Sequence, residues 1–480
     1  MLLRQTLLYL PAQTLVPLAQ MAAAVLWTFW LEPQPMGTYA LIWSVQELIY
    51  LSVLSWWSIY CLRYASGLLE QGKQAEFDAL ELWIQGAAAI LQTAAAILAV
   101  ALMFPGGLSV EAVLATVAFT LTRNISTHYA TRARAQLEAL PYTLNLLTGS
   151  LGGLLAGLYV VTQVSATPEA LLAAYALAQF AGLAVSLPFM RTAARKPALS
   201  REILPSAWNF GWPLMASGIL SWVSNHGIRF VVEIGLGRAA VGLMTVGWWM
   251  GQRAAAFVGL LLMGAAFNVA VERMRTGGRE PALEQLATNG ALLLGVVAPA
   301  VLGVVLLNVQ IVALLVAEAY RVSTQEILPI AMLAGAARMA REHGTDPVFL
   351  IFERPSYPLL LSCAEGAGTM ALCAIGLALG GVTGAAWGCC AGALAALAAS
   401  ATFARWHFGY YVLPRDLLKI AAASAVMACA LALAPDTLGW IGLAVAVSGG
   451  AAVYGGVLAV LYPRASWRYG NRVLGWLKVS

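Results

Sequence analysis

Apolar runs of about 20 residues, separated by short polar interruptions, follow one another along the whole chain. Each run is long enough for a helix to cross a bilayer, and charged positions inside the runs are scarce. The pattern predicts fourteen helices, near 7–31, 36–64, 82–104, 109–131, 141–162, 168–190, 206–232, 240–267, 286–315, 326–352, 355–379, 381–404, 414–433 and 438–462. The expected fold class is an all-α polytopic membrane protein. "MLLRQTLLYLPAQ" has one basic residue before its apolar run and no A-x-A cleavage pattern, so it reads as a retained first span.

The interruptions alternate in charge. Odd-numbered connections are short and nearly uncharged ("EPQP", "PGGLS", "QVSATP", "GLGR", "GGVTG", "APDTLG"), apart from the longer, mixed "AEAYRVSTQE". Even-numbered ones are basic ("RARAQLE", "RTAARKPALSRE", "ERMRTGGRE", "FERPSY", "RWHFGYYVLPRD"). Most of the 27 Lys and Arg fall on that second side, against Arg238 and Arg321 on the first. The positive-inside rule then places the basic loops and both termini in the cytoplasm. The tail "RASWRYGNRVLGWLKVS" reads as an amphipathic helix on the anionic inner leaflet, with a partner-enzyme site as the alternative. "LLEQGKQAEFDALELW" reads as an interfacial or solvated connector to which no chemistry is assigned.

Composition narrows the class. The chain is 61% hydrophobic and 10% charged, where soluble domains carry about 25% charged residues. No segment has the make-up of a separate soluble domain, and no GxxxxGK[ST] loop marks an ATP-driven pump. The six cysteines lie in apolar runs without C-x-x-C or Cys/His spacing and read as small core hydrophobes. No cofactor, metal or nucleic acid is expected.

Two outer turns echo one another. Leu31, Gly37 and Trp43 stand six apart, as do Leu236, Gly242 and Trp248, at equivalent points of two six-helix halves. That suggests parallel repeats about an axis along the membrane normal, with substrate handled between them. The turn "LEPQPMGTYAL", the seventh-span entry "WNFGWPLMASGILSW" and the later "ERPSYPLLLSCAEG…GGVTGAAWG" resemble bacterial polysaccharide transporters. These are the O-antigen and exopolysaccharide flippases of the multidrug/oligosaccharidyl-lipid/polysaccharide exporter superfamily. Relatives often carry an Asp-Arg pair late in the seventh helix, where this chain reads "SNHGIRF". Arg229 can fill the cationic half, while the acidic half is missing. The resemblance implies two six-helix lobes, 1–195 and 196–410, around a central cavity, with two further helices and the basic tail in 411–480. It also implies an oligosaccharide linked through pyrophosphate to undecaprenyl as cargo, the bacterial inner membrane as location, and polysaccharide assembly proteins as possible partners.

Ionisable groups at membrane depth are functional candidates by default. Arg253 lies too deep in the eighth span to snorkel, with Trp249 one turn away on the same face. Gly247, Gly251 and Ala255 form a small-residue ridge on the opposite face, suited to close packing. Arg253 is expected to meet cargo, or to form a structural pair with Glu47. Glu47, beside Gln46 in the second span, could pair or take up a proton. Arg338 is expected in the cavity, with Arg341, Glu342, His343 and Asp346 at a solvated cytoplasmic mouth. Arg229 and His226 suit a gate or an interfacial charge, and Arg123 either greets an entering headgroup or snorkels. Glu365 is a second coupling candidate or a packed acid.

Several buried arginines match a pyrophosphate, since guanidinium forks bind phosphate bidentately. The leading expectation is therefore a lipid-linked oligosaccharide flippase without covalent chemistry. A drug antiporter of the same superfamily is the alternative, although cationic drugs call for an acidic cavity. A membrane glycosyltransferase or polymerase usually needs a sizeable outer loop, and every outer connection here is short.

Overall fold

The computed structural model describes residues 2–104, 109–191, 196–263, 266–354, 356–433 and 439–463, among which there are helices and no strand. The tail expected as an amphipathic helix, 464–480, lies outside the described residues. The first stretch holds α1 (Leu2–Leu26) with a 3-10 turn (Trp27–Phe29), α2 (Pro33–Val53), α3 (Ser55–Glu70) and α4 (Gln74–Met103). There follow α5 (Val110–Ala135), α6 (Ala139–Gln163), α7 (Pro168–Ser186), α8 (Ile203–Leu236) and α9 (Arg238–Met263). The remainder is α10 (Ala266–Gly277), α11 (Arg279–Leu306), α12 (Asn308–Leu315), α13 (Glu318–Met339), a π-helical segment (Ala340–Thr345), α14 (Asp346–Ile351), α15 (Ser356–Phe408), α16 (Pro414–Ala432) and α17 (Trp440–Leu461).

Among the described residues, the fourteen predicted spans fall on helix, and the extra elements are breaks within them or extensions beyond. The second span divides at Leu54, where the Ser55 hydroxyl donates to Leu51 O at 2.6 Å and Trp56 Nε1 donates to Val53 O at 2.9 Å. Such local side-chain bonds compete with the helical ladder. The tenth span widens into the π segment just before Pro347. Proline there has no N–H for the ladder and its ring crowds the carbonyl four residues back. Gly380 and Gly381 break α15 into two arms, with Gly381 at a φ of 60° that favours glycine. Among the described residues, seven helices are long and apolar enough to cross a membrane by length and composition, within α1, α4, α6, α7, α11, α15 and α17.

The chain forms two compact units, residues 1–245 and 246–480. In the first, α6 and α7 pack through glycines: a Cβ at Gly157 would come within 2.8 Å of Leu171 and Trp27, and one at Gly182 within 2.8 Å of Asn145 O. The echoed turns meet in this unit. A Cβ on Gly37 would strike the carbonyl of Arg238, and one on Gly242 would strike the carbonyl of Pro33. Each carbonyl belongs to the residue four before the other glycine, so the contact is reciprocal. Of the flanking pairs, Leu31 is buried and Leu236 exposed, so the echo is structural at the glycines and not at the leucines.

In the second unit the small-residue ridge of α9 lies on α13. Gly247 faces Ile327, Gly251 faces Ala331 and Ala255 faces Gly335, three successive contacts at four-residue spacing on both helices. This is the small-residue packing that membrane helices use for close approach. The arms of α15 meet the same way, Gly376 against Gly384 and Gly392 against Thr369. Gly251→Leu should therefore overpack the α9–α13 contact and destabilise by about 1–3 kcal/mol. Thermal unfolding in detergent checks this, with Ala256→Leu, exposed on the same helix, expected to melt as the native protein does.

Candidate functional site

Glu47, Gln46, Arg123, His226, Arg229, Trp249, Arg253 and Arg338 sit on α2, α5, α8, α9 and α13, outside the seven most apolar helices. Only Glu365, on α15, stands on one of the seven.

In the first unit, α2 and α8 bring Ser44, Glu47, His226 and Arg229 together. Arg229, 1% exposed, donates from Nη1 to Ser44 Oγ at 2.6 Å and stands 2.6 Å from His226 Nδ1. Guanidinium nitrogens only donate, so Nδ1 must be the acceptor and the imidazole proton lies on Nε2. That nitrogen is 3.1 Å from Glu47 Oε2. Trp222 stacks on the imidazole at 5.9 Å and donates to Ser44 O at 2.9 Å. The carboxylate absent from "SNHGIRF" is thus supplied by α2, about 21 Å along that helix from Pro33.

Gln46 points elsewhere. Its amide donates to Asn124 at 2.6 Å, and Asn124 donates to Gln92 at 2.8 Å, a buried chain across α2, α5 and α4. One residue before Asn124, Arg123 lies over the Trp43 ring at 5.1 Å.

In the second unit, Arg338 Nε donates to Glu365 Oε1 at 2.9 Å, and Arg341 Nη1 stands 2.9 Å from Oε2. Arg338 also reaches Gln252 at 3.3 Å, whose amide donates to Ala331 O at 3.0 Å. Arg341 lies 3.6 Å from Asp346, which accepts from Ser400 at 2.7 Å. Arg341 and Asp346 are buried, so the expected solvated mouth keeps only the exposed Glu342 and half-buried His343. The π segment carries Arg341 inward, beside the acid on α15. Trp249 and Arg253 lie on the face of α9 turned away from α13; both are half-buried and neither lacks partners.

A further cluster is built on "EFDALELW", within the connector. Arg132 pairs with Glu81 and, at 2.6 Å, with Asp78; His128 bridges Glu81 at 2.8 Å and Ser58 at 2.9 Å. The signal was present as two acids three apart on α4 and two bases four apart on α5. Cys61, Glu81 and His128 offer atoms within 4.8 Å of one another. Both imidazole nitrogens and both Glu81 oxygens already have partners, and Arg132 occupies the place a cation would take. This donor set suits an ion-pair network better than a metal.

The helical order, the breaks and the long apolar helices together define an all-helical integral membrane protein. Among solved structures the chain is similar to the lipid II flippase MurJ in an inward closed conformation, with a TM-score of 0.70 and 12% identity over 96% of this chain and 99% of that one. It is also similar to an inward-facing multidrug resistance MATE family transporter, with a TM-score of 0.57 and 15% identity over 83% and 98%. An outward-facing MATE structure gives 0.54 and 14% over 85% and 95%. No family profile and no curated relative matches the sequence.

Proposed function

We propose that the protein is a flippase for a polyprenyl-pyrophosphate-linked oligosaccharide, moving it from the inner to the outer leaflet by alternating access for surface polysaccharide assembly. The observation that carries this reading is the set of guanidinium groups at membrane depth, Arg123, Arg229, Arg253 and Arg338, on a superfamily fold. Similarity to a lipid II flippase over nearly the whole of both chains supports it. A pyrophosphate is a compact multivalent anion, and arginine meets it with paired donors. In this reading 1–195 and 196–410 are the six-helix lobes, 411–480 is the appended pair with its tail, and both termini are cytoplasmic in a bacterial inner membrane. The drug-antiporter alternative is disfavoured because these four guanidinium groups outnumber the candidate carboxylates Glu47 and Glu365.

Mass spectrometry of lipid retained by the purified protein tests the reading, together with flipping of that lipid in liposomes. Phosphate-bearing polyprenyl lipids should be retained and flipped; retention of neither, with efflux of cationic drugs instead, sinks it. Glu47 and Glu365 are the proposed coupling groups if protons drive the cycle. Glu47→Gln should then flatten the pH dependence of flipping, and an unaltered profile in both Glu47→Gln and Glu365→Gln would remove protons from the scheme.

A further inference from the structure

Inside the first unit, α1, α3, α5, α6 and α7 enclose a cavity of about 270 Å³, and its Arg123 is within electrostatic reach of Glu47. That lies near the lower end of the roughly 300–1,000 Å³ typical of ligand pockets. Its length follows α5 from Arg123 to the exposed Arg134, eleven residues or about 16 Å along the helix. The wall is mixed, with Thr127, Asn145, Tyr142 and Gln179 among its polar groups, and none of the lining residues is an aspartate or glutamate. For a space within a membrane bundle this is a surplus of donors.

Two of those donors are unspent. Gln179 is 1% exposed; its oxygen accepts from Thr122 at 3.1 Å, while Nε2 has no hydrogen-bond partner. The Arg123 guanidinium rests on Trp43 and feels the charge of Glu47, but among the described residues it makes no direct hydrogen bond or ion pair. A guanidinium held at this depth with its N–H groups unmatched is expensive unless an acceptor-rich group occupies the space beside it. Asn145, by contrast, is satisfied: it donates to Ser126 O and accepts from Ser126 Oγ, both at 2.9 Å, which fixes the opposite wall.

We infer that this pocket is an anion site of the first bundle, taking a phosphate or pyrophosphate group whose oxygens accept from Arg123 and Gln179, with Arg134 at its mouth. The inference rests on the proposed flippase reading only for the source of the anion. If that reading holds, the occupant is the headgroup of the polyprenyl cargo before it is moved. A free pyrophosphate has the same chemistry.

Full-length protein in phosphatidylcholine nanodiscs would be titrated with farnesyl pyrophosphate and, separately, with inorganic pyrophosphate. Binding should weaken roughly ten-fold or more in Arg123→Gln, the scale of a lost charge-assisted hydrogen bond, and less in Gln179→Leu. Arg123→Lys should fall between, because it keeps charge without the fork. Tighter binding of the farnesyl compound assigns the site to a lipid headgroup; equal binding of both assigns it to the free anion. Binding of neither, or binding unchanged in both Arg123→Gln and Gln179→Leu at native melting temperature, overturns the site. Flipping separates the two readings. Flipping by the native protein that continues at an unaltered rate in Arg123→Gln removes the cargo headgroup as the occupant and leaves the flippase standing. Pyrophosphate binding that depends on Arg123, without any flipping, keeps the site and removes the flippase.

Discussion

Glu365→Ala should cost the folded protein about 3–5 kcal/mol, because it strands buried guanidinium groups without their carboxylate. Glu365 receives Arg338 on one oxygen and faces Arg341 on the other, each at 2.9 Å, and all three side chains are nearly closed to solvent. Arg341 keeps Asp346 at 3.6 Å after the change, so the greater part of the cost falls on Arg338. Removing both charges, as Arg338→Met with Glu365→Leu, should recover most of the loss, since apolar replacements of a buried pair are often neutral or better. Thermal unfolding in detergent reads both. A single variant as stable as the native chain would show that Glu365 does not hold the two guanidinium groups in place.

The second large effect is expected on transport, at Arg229. Its Nη1 holds His226 Nδ1 as an acceptor, which keeps the imidazole uncharged and its other proton directed at Glu47. Arg229→Ala removes a phosphate-sized charge from the bundle and should reduce flipping by roughly ten- to hundred-fold, the worth of one or two charge-assisted bonds. A full rate in Arg229→Ala would make the group a packing feature.

The helices were legible in the sequence because bilayer thickness sets their length and apolar runs report it directly. The α9 ridge was legible for the same kind of reason: glycine and alanine four apart mark one face, and α13 carries the matching Ile327, Ala331 and Gly335. Pairings of charges were not legible. Glu47 finds His226 across about 180 residues, and Glu365 gathers two arginines from a helix that precedes its own. Helical periodicity shows which face a residue occupies, not which distant helix lies against that face. Asp78 and Glu81 illustrate the opposite error. Acids near a polar connector read as solvated, yet Arg132 and His128 draw both inside. The polysaccharide-transporter resemblance pointed to the superfamily fold, and the structural similarities extend to that level.

The meeting of Gly37 with the Arg238 carbonyl, and of Gly242 with that of Pro33, bears on how such a chain could arise. A contact in which each partner gives what it receives is self-complementary, the pattern of an interface about a twofold axis. A half-length ancestor bearing one such turn would have owned both sides of the junction and could have joined a second copy through it. Gene fusion would then inherit the junction ready-made, and afterwards neither glycine could drift alone, because each would still be held against the other's backbone.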